Sequence, residues 1–315
     1  MANTTFSGPV RSEGGFQHLA TNSSSGNQIN DKVEITTAGQ LVVHGTNANN
    51  TNRSALTSDR YFLTEWFKKR PATNANIDQA YTVEVARAAN RDFEILGTNM
   101  TTALVTFDTT RAGLTITTAG ADQDQAIIAP HLDAGFTAWA GVLWGTENQT
   151  EWECAISSNA IDNQKFWAGL KLTNDQLVAT DADQAYFKFQ TDATNSEAFT
   201  DFTLLHFVHS VGGTDFISAL PITVAANTIY HLKIVIDSDR KATIFVDGVQ
   251  YDITTTAGST GGTAVSAVAE GAAAVLSGAL TDNVDLIPYI GIEAGAAAAE
   301  AIDVHWQAIN RTIFE

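Results

Sequence analysis

The stretch from Tyr230 to Ile253, YHLKIVIDSDRKATIFVDGVQYDI, constrains the fold more than any other part of the chain. Leu232, Ile234 and Ile236 alternate with His231, Lys233 and Val235, the period of a strand with one buried face. Asp237-Ser238-Asp239-Arg240 supplies turn residues whose short side chains bond their own backbone. A second strand runs from Thr243 to Val246. Asp247-Gly248 then fits a two-residue hairpin, whose type I′ turn needs positive φ at both central positions. Val249, Tyr251 and Ile253 resume the alternation. The segment is a three-stranded antiparallel meander, and nothing in it has the look of a reaction site.

From about residue 93 onward nearly every periodic segment is a strand. Phe93–Leu96, Ala103–Phe107, Leu114–Thr118, Gln125–Ala129 and Thr137–Trp144 come first. In Glu151–Ile156, the residues Trp152, Cys154 and Ile156 point to one face and Glu151 and Glu153 to the other. Phe166–Leu172, Ala185–Phe189, Thr203–Val208 and Val304–Ile309 complete the series around the meander. Strands at this spacing, with turn residues between them, predict an all-β sandwich or jelly roll. The Ala/Gly-rich insertion 257–281 reads as either a short helix at 264–280 or a mobile loop.

Two segments precede the sandwich. Residues 1–57 are polar, with apolar anchors at Phe6, Val10, Phe16 and Leu19, and are expected to form an extended N-terminal arm. Within it, Lys32–Thr37 and Gln40–His44 can pair as a hairpin around Ala38-Gly39. An arm that orders on a partner, a disordered leader and a strap over its own domain all suit this composition. Residues 58–92 are expected to hold a helix and a linker. Ser58 can cap the helix, Asp59 suits its first turn, Lys68–Arg70 suit its last, and Pro71 stops it. Phe62 with Trp66 and Leu63 with Phe67 are then i,i+4 pairs on one apolar face. That face docks either on its own sandwich or on another subunit.

The net charge of −18, with 17 Lys plus Arg, argues against nucleic acid as a partner, since affinity there comes from neutralising phosphates. No apolar run reaches the length of a transmembrane helix. The N-terminus carries no signal-peptide pattern, which implies synthesis and folding in the cytoplasm. Cys154, the single cysteine, removes any disulfide framework and reads as a buried, inert thiol. Catalytic nucleophile elbows, phosphate-binding loops and dinucleotide fingerprints are absent, and no cofactor is expected. His206 and His209, three apart on a strand, leave opposite faces and cannot share a metal. Asp122/Asp124, Asp181/Asp183 and Asp237/Asp239 are pairs that either serve their turns or ligate calcium. Trp139 and Trp144 are either core residues or a sugar-stacking platform.

The segments Gln164–Leu170, Asp237–Gly248, Leu286–Gly295 and Ile302–Trp306 resemble the concanavalin A-like lectin/glucanase family, the laminin G type of jelly roll. The resemblance covers 93–315 and implies a concanavalin A-like β-sandwich. Sugar binders, hydrolases and structural modules share that fold. Laminarinase-like members carry Glu-x-Asp-x-x-Glu on one strand, and here Glu151 and Glu153 offer two of the acids without the third. The opening MANTTFSGPVRSEGGF resembles the start of virion structural proteins of tailed phages of marine and cyanobacterial hosts.

Together these resemblances imply a non-enzymatic virion structural protein, a capsid decoration (cement) protein on the capsid surface. It would meet the major capsid protein and further copies of itself through Phe6, Val10, Phe16, Leu19, Phe62, Leu63, Trp66 and Phe67. The alternative is a carbohydrate-binding module of a phage fibre or surface appendage, reading host glycan.

Overall fold

The computed structural model describes residues 60–75, 92–130, 143–191, 197, 199, 201–258 and 260–312, together with the backbone of three earlier strands. The chain divides into two units, Met1–Tyr61 with Thr312–Glu315, and Phe62–Arg311. In the first, β1 (Phe16–Thr21), β2 (Gln28–Ile35) and β3 (Leu41–His44) form an antiparallel sheet in that order. The hairpin expected around Ala38-Gly39 is present, with Lys32 paired to His44 and Ile35 to Leu41. Strand β1 adds to it through Phe16–Val33 and Leu19–Asn30 pairs and was not anticipated. Phe6 and Val10, and the side chains of Phe16 and Leu19, lie outside the described residues.

The second unit is an all-β sandwich of two sheets. Its first strands are β4 (Arg60–Glu65), β5 (Ala72–Asn74), β6 (Phe93–Gly97), β7 (Val105–Phe107), β8 (Leu114–Thr117) and β9 (Gln125–Pro130). Next come β10 (Glu151–Ser158), β11 (Gln164–Lys171), β12 (Gln184–Gln190), β13 (Leu204–Val211) and β14 (Thr214–Thr223). The meander follows as β15 (Tyr230–Ile236), β16 (Ala242–Val246) and β17 (Val249–Tyr251). Last are β18 (Thr263–Ala264), β19 (Ile287–Ala294) and β20 (Ala301–Thr312). One sheet has eight strands, ordered β17-β16-β15-β10-β20-β8-β7, with β4 also paired to β20. The other has nine, ordered β18-β14-β13-β12-β11-β19-β9-β6-β5. The expected all-β sandwich is present.

The two sheets differ in how many faces they bury. In the eight-stranded sheet β15 alternates buried with exposed or half-buried positions, as does β16, so one face meets the core and the other is open. In the nine-stranded sheet β11, β12 and β19 are buried at every position. Its inner face contributes Phe166, Phe187, Phe207 and Ile290 to the core between the sheets, packed against Trp152, Ile234 and Val304. Its outer face carries a second apolar cluster around Trp167, Tyr186, Val208 and Tyr289, covered in part by Val178 and Phe199. A sheet covered on both sides is the reason its strands read as continuous hydrophobic runs.

His206 and His209 sit on opposite faces of β13, as their spacing predicts, and both are fully buried. His209 lies parallel to Phe216 with ring centroids 4.6 Å apart, and His206 lies 4.4 Å from Phe199. Each imidazole is packed as an aromatic ring, and burial holds each pKa down at about 4.

The helix expected over 58–70 is replaced by β4. Tyr61-Phe62-Leu63-Thr64 is a run of strand-favouring side chains, and pairing with β20 outweighs the local capping signals. The period is therefore two rather than 3.6. Phe62, Thr64 and Trp66 face out, while Leu63 packs on the core and Phe67 is fully buried 6.2 Å from Phe93. Phe67 turns the chain at φ 49°, with its amide donating to Glu65 Oε1 at 2.5 Å. Hence Phe62 and Trp66 do not pair with Leu63 and Phe67 on a common face.

The insertion 257–281 forms neither a helix nor an unpaired loop over its described residues. Thr263–Ala264 pairs in parallel with Ser218–Ala219, Ala267 bridges Tyr251, and Ala279 bridges Lys241. It thereby covers part of an edge of each sheet. Trp144 is buried among the core residues, so it is not part of a sugar platform. Trp139 lies outside the described residues.

Two tests follow from this packing. Gly291 pairs with Trp167 across β19 and β11, and a Cβ on it would lie 2.3 Å from Trp167 Cζ2. Gly291→Ala is expected to destabilise the protein by about 1–3 kcal/mol, read as a lower urea midpoint at unchanged slope. The histidines set an acid limit. Because their folded pKa values lie below the ordinary 6.5, the unfolded chain binds more protons between about pH 4 and 6.5. Stability from these groups is therefore complete above that window and is lost as pH falls through it. His209→Phe is expected to flatten the fall in thermal midpoint between pH 7 and pH 4.

Candidate functional site: an aromatic groove on the open sheet face

The open face of the eight-stranded sheet is a lattice of cross-strand neighbours. Trp306, Ala155 and His231 fall in one row, with Asp247 accepting the His231 amide through Oδ1 at 2.9 Å at its end. Ala308, Glu153, Lys233 and Phe245 form the next row, and Asn310, Glu151, Val235 and Thr243 the third. Small alanines between tall aromatic neighbours leave a depression. It is an open groove of about 720 Å³, bordered by Trp306, His231, Phe245 and Asp247 with Glu151, Glu153 and Lys233 along it.

A β-bulge brings Trp306 to this place. The register of β10 against β20 shifts between Ala155 and Ile156, so Ala155 pairs with Trp306 and Ile156 with Val304. The extra residue, His305, is buried and hydrogen-bonds Ser157 Oγ at 3.1 Å and Ala112 O at 3.0 Å. Trp66 then stands over Trp306 with ring centroids 5.9 Å apart and a tilt of 36°. His231 approaches Trp306 from the other side at 6.0 Å. Trp66 is 51 % exposed and Phe62, on the same side of the chain, 46 %. An exposed tryptophan on a half-buried one beside carboxylates is suited to stacking on a flat apolar face while hydrogen-bonding a polar rim.

The carboxylates have unequal surroundings. Lys233 Nζ lies 3.1 Å from Glu151 Oε2, which neutralises that group at a half-exposed site. Glu153 makes no ion pair among the described residues. The two acids emerge on the same face, as their alternation predicts, while the position of the third acid in the glucanase pattern is Ile156, buried in the core.

The other sequence candidates serve the scaffold. Asp181 Oδ2 accepts the Leu172 and Thr173 amides, and Asp183 Oδ1 accepts that of Thr281. Asp124 Oδ2 accepts the Ala121 amide, and Asp237 Oδ1 accepts those of Asp239 and Lys241. Among the described residues no three His, Cys, Asp or Glu side chains converge as a metal site. Cys154 is fully buried, and that burial pushes its thiol pKa well up.

The sequence reading missed the buried lysines. Lys165, Lys171 and Lys188 stand on the outer face of the nine-stranded sheet, each at 1 % exposure or less. Each meets a carboxylate, and a glutamine joins each cluster. Lys165 pairs with Glu293, which also accepts from Gln125; Lys171 with Asp181 and Gln184; Lys188 with Glu197 and Gln176. Burial depresses the Lys188 pKa to about 8, against the pull of Glu197. The missing signal was the covering segment: a lysine in an otherwise apolar strand usually marks a solvent face, and here that face is covered.

No family model matches the chain, and no curated protein does. Solved structures similar to it include a protein of unknown function from Shewanella oneidensis MR-1, at 9 % identity and TM-score 0.46, covering 83 % of this chain and 90 % of that one. The Bacillus licheniformis β-glucanase is similar at 11 % identity and TM-score 0.43, covering 80 % and 98 %. A family 7 alginate lyase is similar at 11 % identity and TM-score 0.40, covering 69 % and 85 %.

Proposed function

We propose that this is a non-enzymatic binding protein that recognises glycan through the groove on its open sheet face. The observation that carries this reading is the exposed Trp66 packed on half-buried Trp306, which lines the groove with Glu151, Glu153 and Lys233. Sugars present apolar C–H faces and equatorial hydroxyls, and tryptophan beside charged acceptors and donors matches both. Binding rather than cleavage follows from the carboxylates. Hydrolysis of a glycosidic bond calls for one protonated and one ionised acid across the bond. Here Glu151 is engaged by Lys233 and the two acids line one side of a single strand.

A second reading uses the same patch for protein. Phe62 and Trp66 are among the largest exposed apolar side chains, as expected of residues that seat on a subunit of a virion. Under that reading the protein decorates the capsid, binding the major capsid protein and, as a homo-oligomer, itself.

One pair of measurements separates the two. In a glycan array the wild-type protein is expected to retain defined oligosaccharides, and Trp306→Ala is expected to weaken that binding tenfold or more, about 1.4 kcal/mol. Co-sedimentation with empty tailed-phage heads, lost in Phe62→Ser/Trp66→Ser, with no glycan retained, would overturn the glycan reading in favour of capsid decoration.

A further inference from the structure

We propose that Lys171 and Gln184 are joined by an isopeptide bond that the folded chain forms by itself. The two residues are opposite each other on β11 and β12, one step beyond the Leu170–Ala185 pair. Both are fully buried on the outer face of the nine-stranded sheet. Lys171 Nζ lies 2.5 Å from Gln184 Oε1, 3.1 Å from Asp181 Oδ2 and 4.2 Å from the Tyr186 ring centroid. An amine held against an amide carbonyl in a fixed pose has most of the entropy of encounter removed in advance. Burial lowers the pKa of the amine, which favours its neutral, nucleophilic form, with Asp181 pulling the other way.

The neighbours fit the roles the reaction needs. Asp181 contacts the nitrogen and is placed to take its proton. The departing amide nitrogen of Gln184 is held by Val178 O at 2.6 Å and Ser210 Oγ at 2.8 Å, so the carboxamide cannot rotate away. Ser210 Oγ in turn donates to Asp215 Oδ1 at 2.6 Å. In the step itself the neutral Lys171 nitrogen adds to Gln184 Cδ and the Cδ–Nε2 bond breaks. The proton taken up by Asp181 returns to the departing nitrogen, which leaves as ammonia. Ammonium side chain plus carboxamide gives amide plus ammonium ion, with no oxidant, metal or energy source. Exclusion of water protects the product from hydrolysis.

Lys171 is a better candidate than its neighbours. Lys165 faces a carboxylate, which would have to expel oxide or water, a poorer route than expelling ammonia. Lys188 is held by three acceptors, Glu197 and both the backbone and side-chain carbonyls of Gln176, the ordinary surroundings of a buried ammonium.

The test is the mass of the purified full-length protein under denaturing conditions. The wild type is expected to be lighter than its sequence by one ammonia. Fragmentation of a digest is expected to show one branched peptide joining the segment with Lys171 to the segment with Gln184. Lys171→Arg, which keeps the charge beside Asp181, is expected to show the full sequence mass. A wild-type mass equal to the sequence after prolonged incubation at neutral pH overturns the proposal, as does a loss of ammonia mapped to other residues. The wild-type measurement decides the matter even if the variant does not fold.

Discussion

The structure depends on the covering of a β-sheet that already has one face in the core. Once the outer face of the nine-stranded sheet is also dry, each charge on it must find a partner within the protein, because an unpaired buried charge costs far more than an unpaired exposed one. Lys165, Lys171 and Lys188 answer that demand with Glu293, Asp181 and Glu197, and the glutamines Gln125, Gln184 and Gln176 complete the shells. Val178 and Phe199 come down on the same face and supply the apolar half of the seal. Ion pairs of this sort specify an arrangement more than they stabilise it. The segment around Asp175–Asp183 is held in one position because only that position brings Asp181 to Lys171 and Gln176 to Lys188.

The eight-stranded sheet keeps one face open. Its inner positions are committed to the core through Trp152, Ile234, Ile244 and Val304, and its outer positions are free to vary. The groove needs only three local features: the bulge that aims Trp306 outward, the alanines beside it, and the strand β4 that brings Trp66 over from a distant part of the chain. A rigid scaffold with an adjustable outer face is a common way for one fold to host many binding partners.

How much of this was legible in the sequence follows from the reach of each signal. The meander was readable because the alternation of β15 and the Asp247-Gly248 turn are contained in a few residues. The segment 58–70 was misread because Ser58, Asp59, Lys68–Arg70 and Pro71 are local helix signals, while the pairing with β20 that overrules them is remote. Strand β14 went unread, since Thr214–Thr223 mixes polar and apolar residues without a clean period. The lysines of β11 and β12 look like an exposed face until the covering segment is known. The groove was half visible: Glu151, Glu153 and His231 were placed outward by alternation, but the bulge at Ala155/Ile156 that presents Trp306 has no signature in a single strand.

Strand β20 has one further consequence. It lies between β10 and β8 in the middle of its sheet, and Thr115 on β8 meets Asp303 on β20 across a separation of 188 residues. In the opposite sheet β19 likewise separates β9 from β11. Each sheet is therefore two blocks that remain unjoined until a late strand inserts between them. During synthesis the ribosome releases β6 to β9 well before either wedge exists, leaving strand edges such as Ile127 and Ile116 without a neighbour. Folding of such a chain is slow in proportion to the span of its contacts. The nascent protein has a long interval in which a chaperone, or another nascent copy, can occupy the gap that β19 and β20 will later fill.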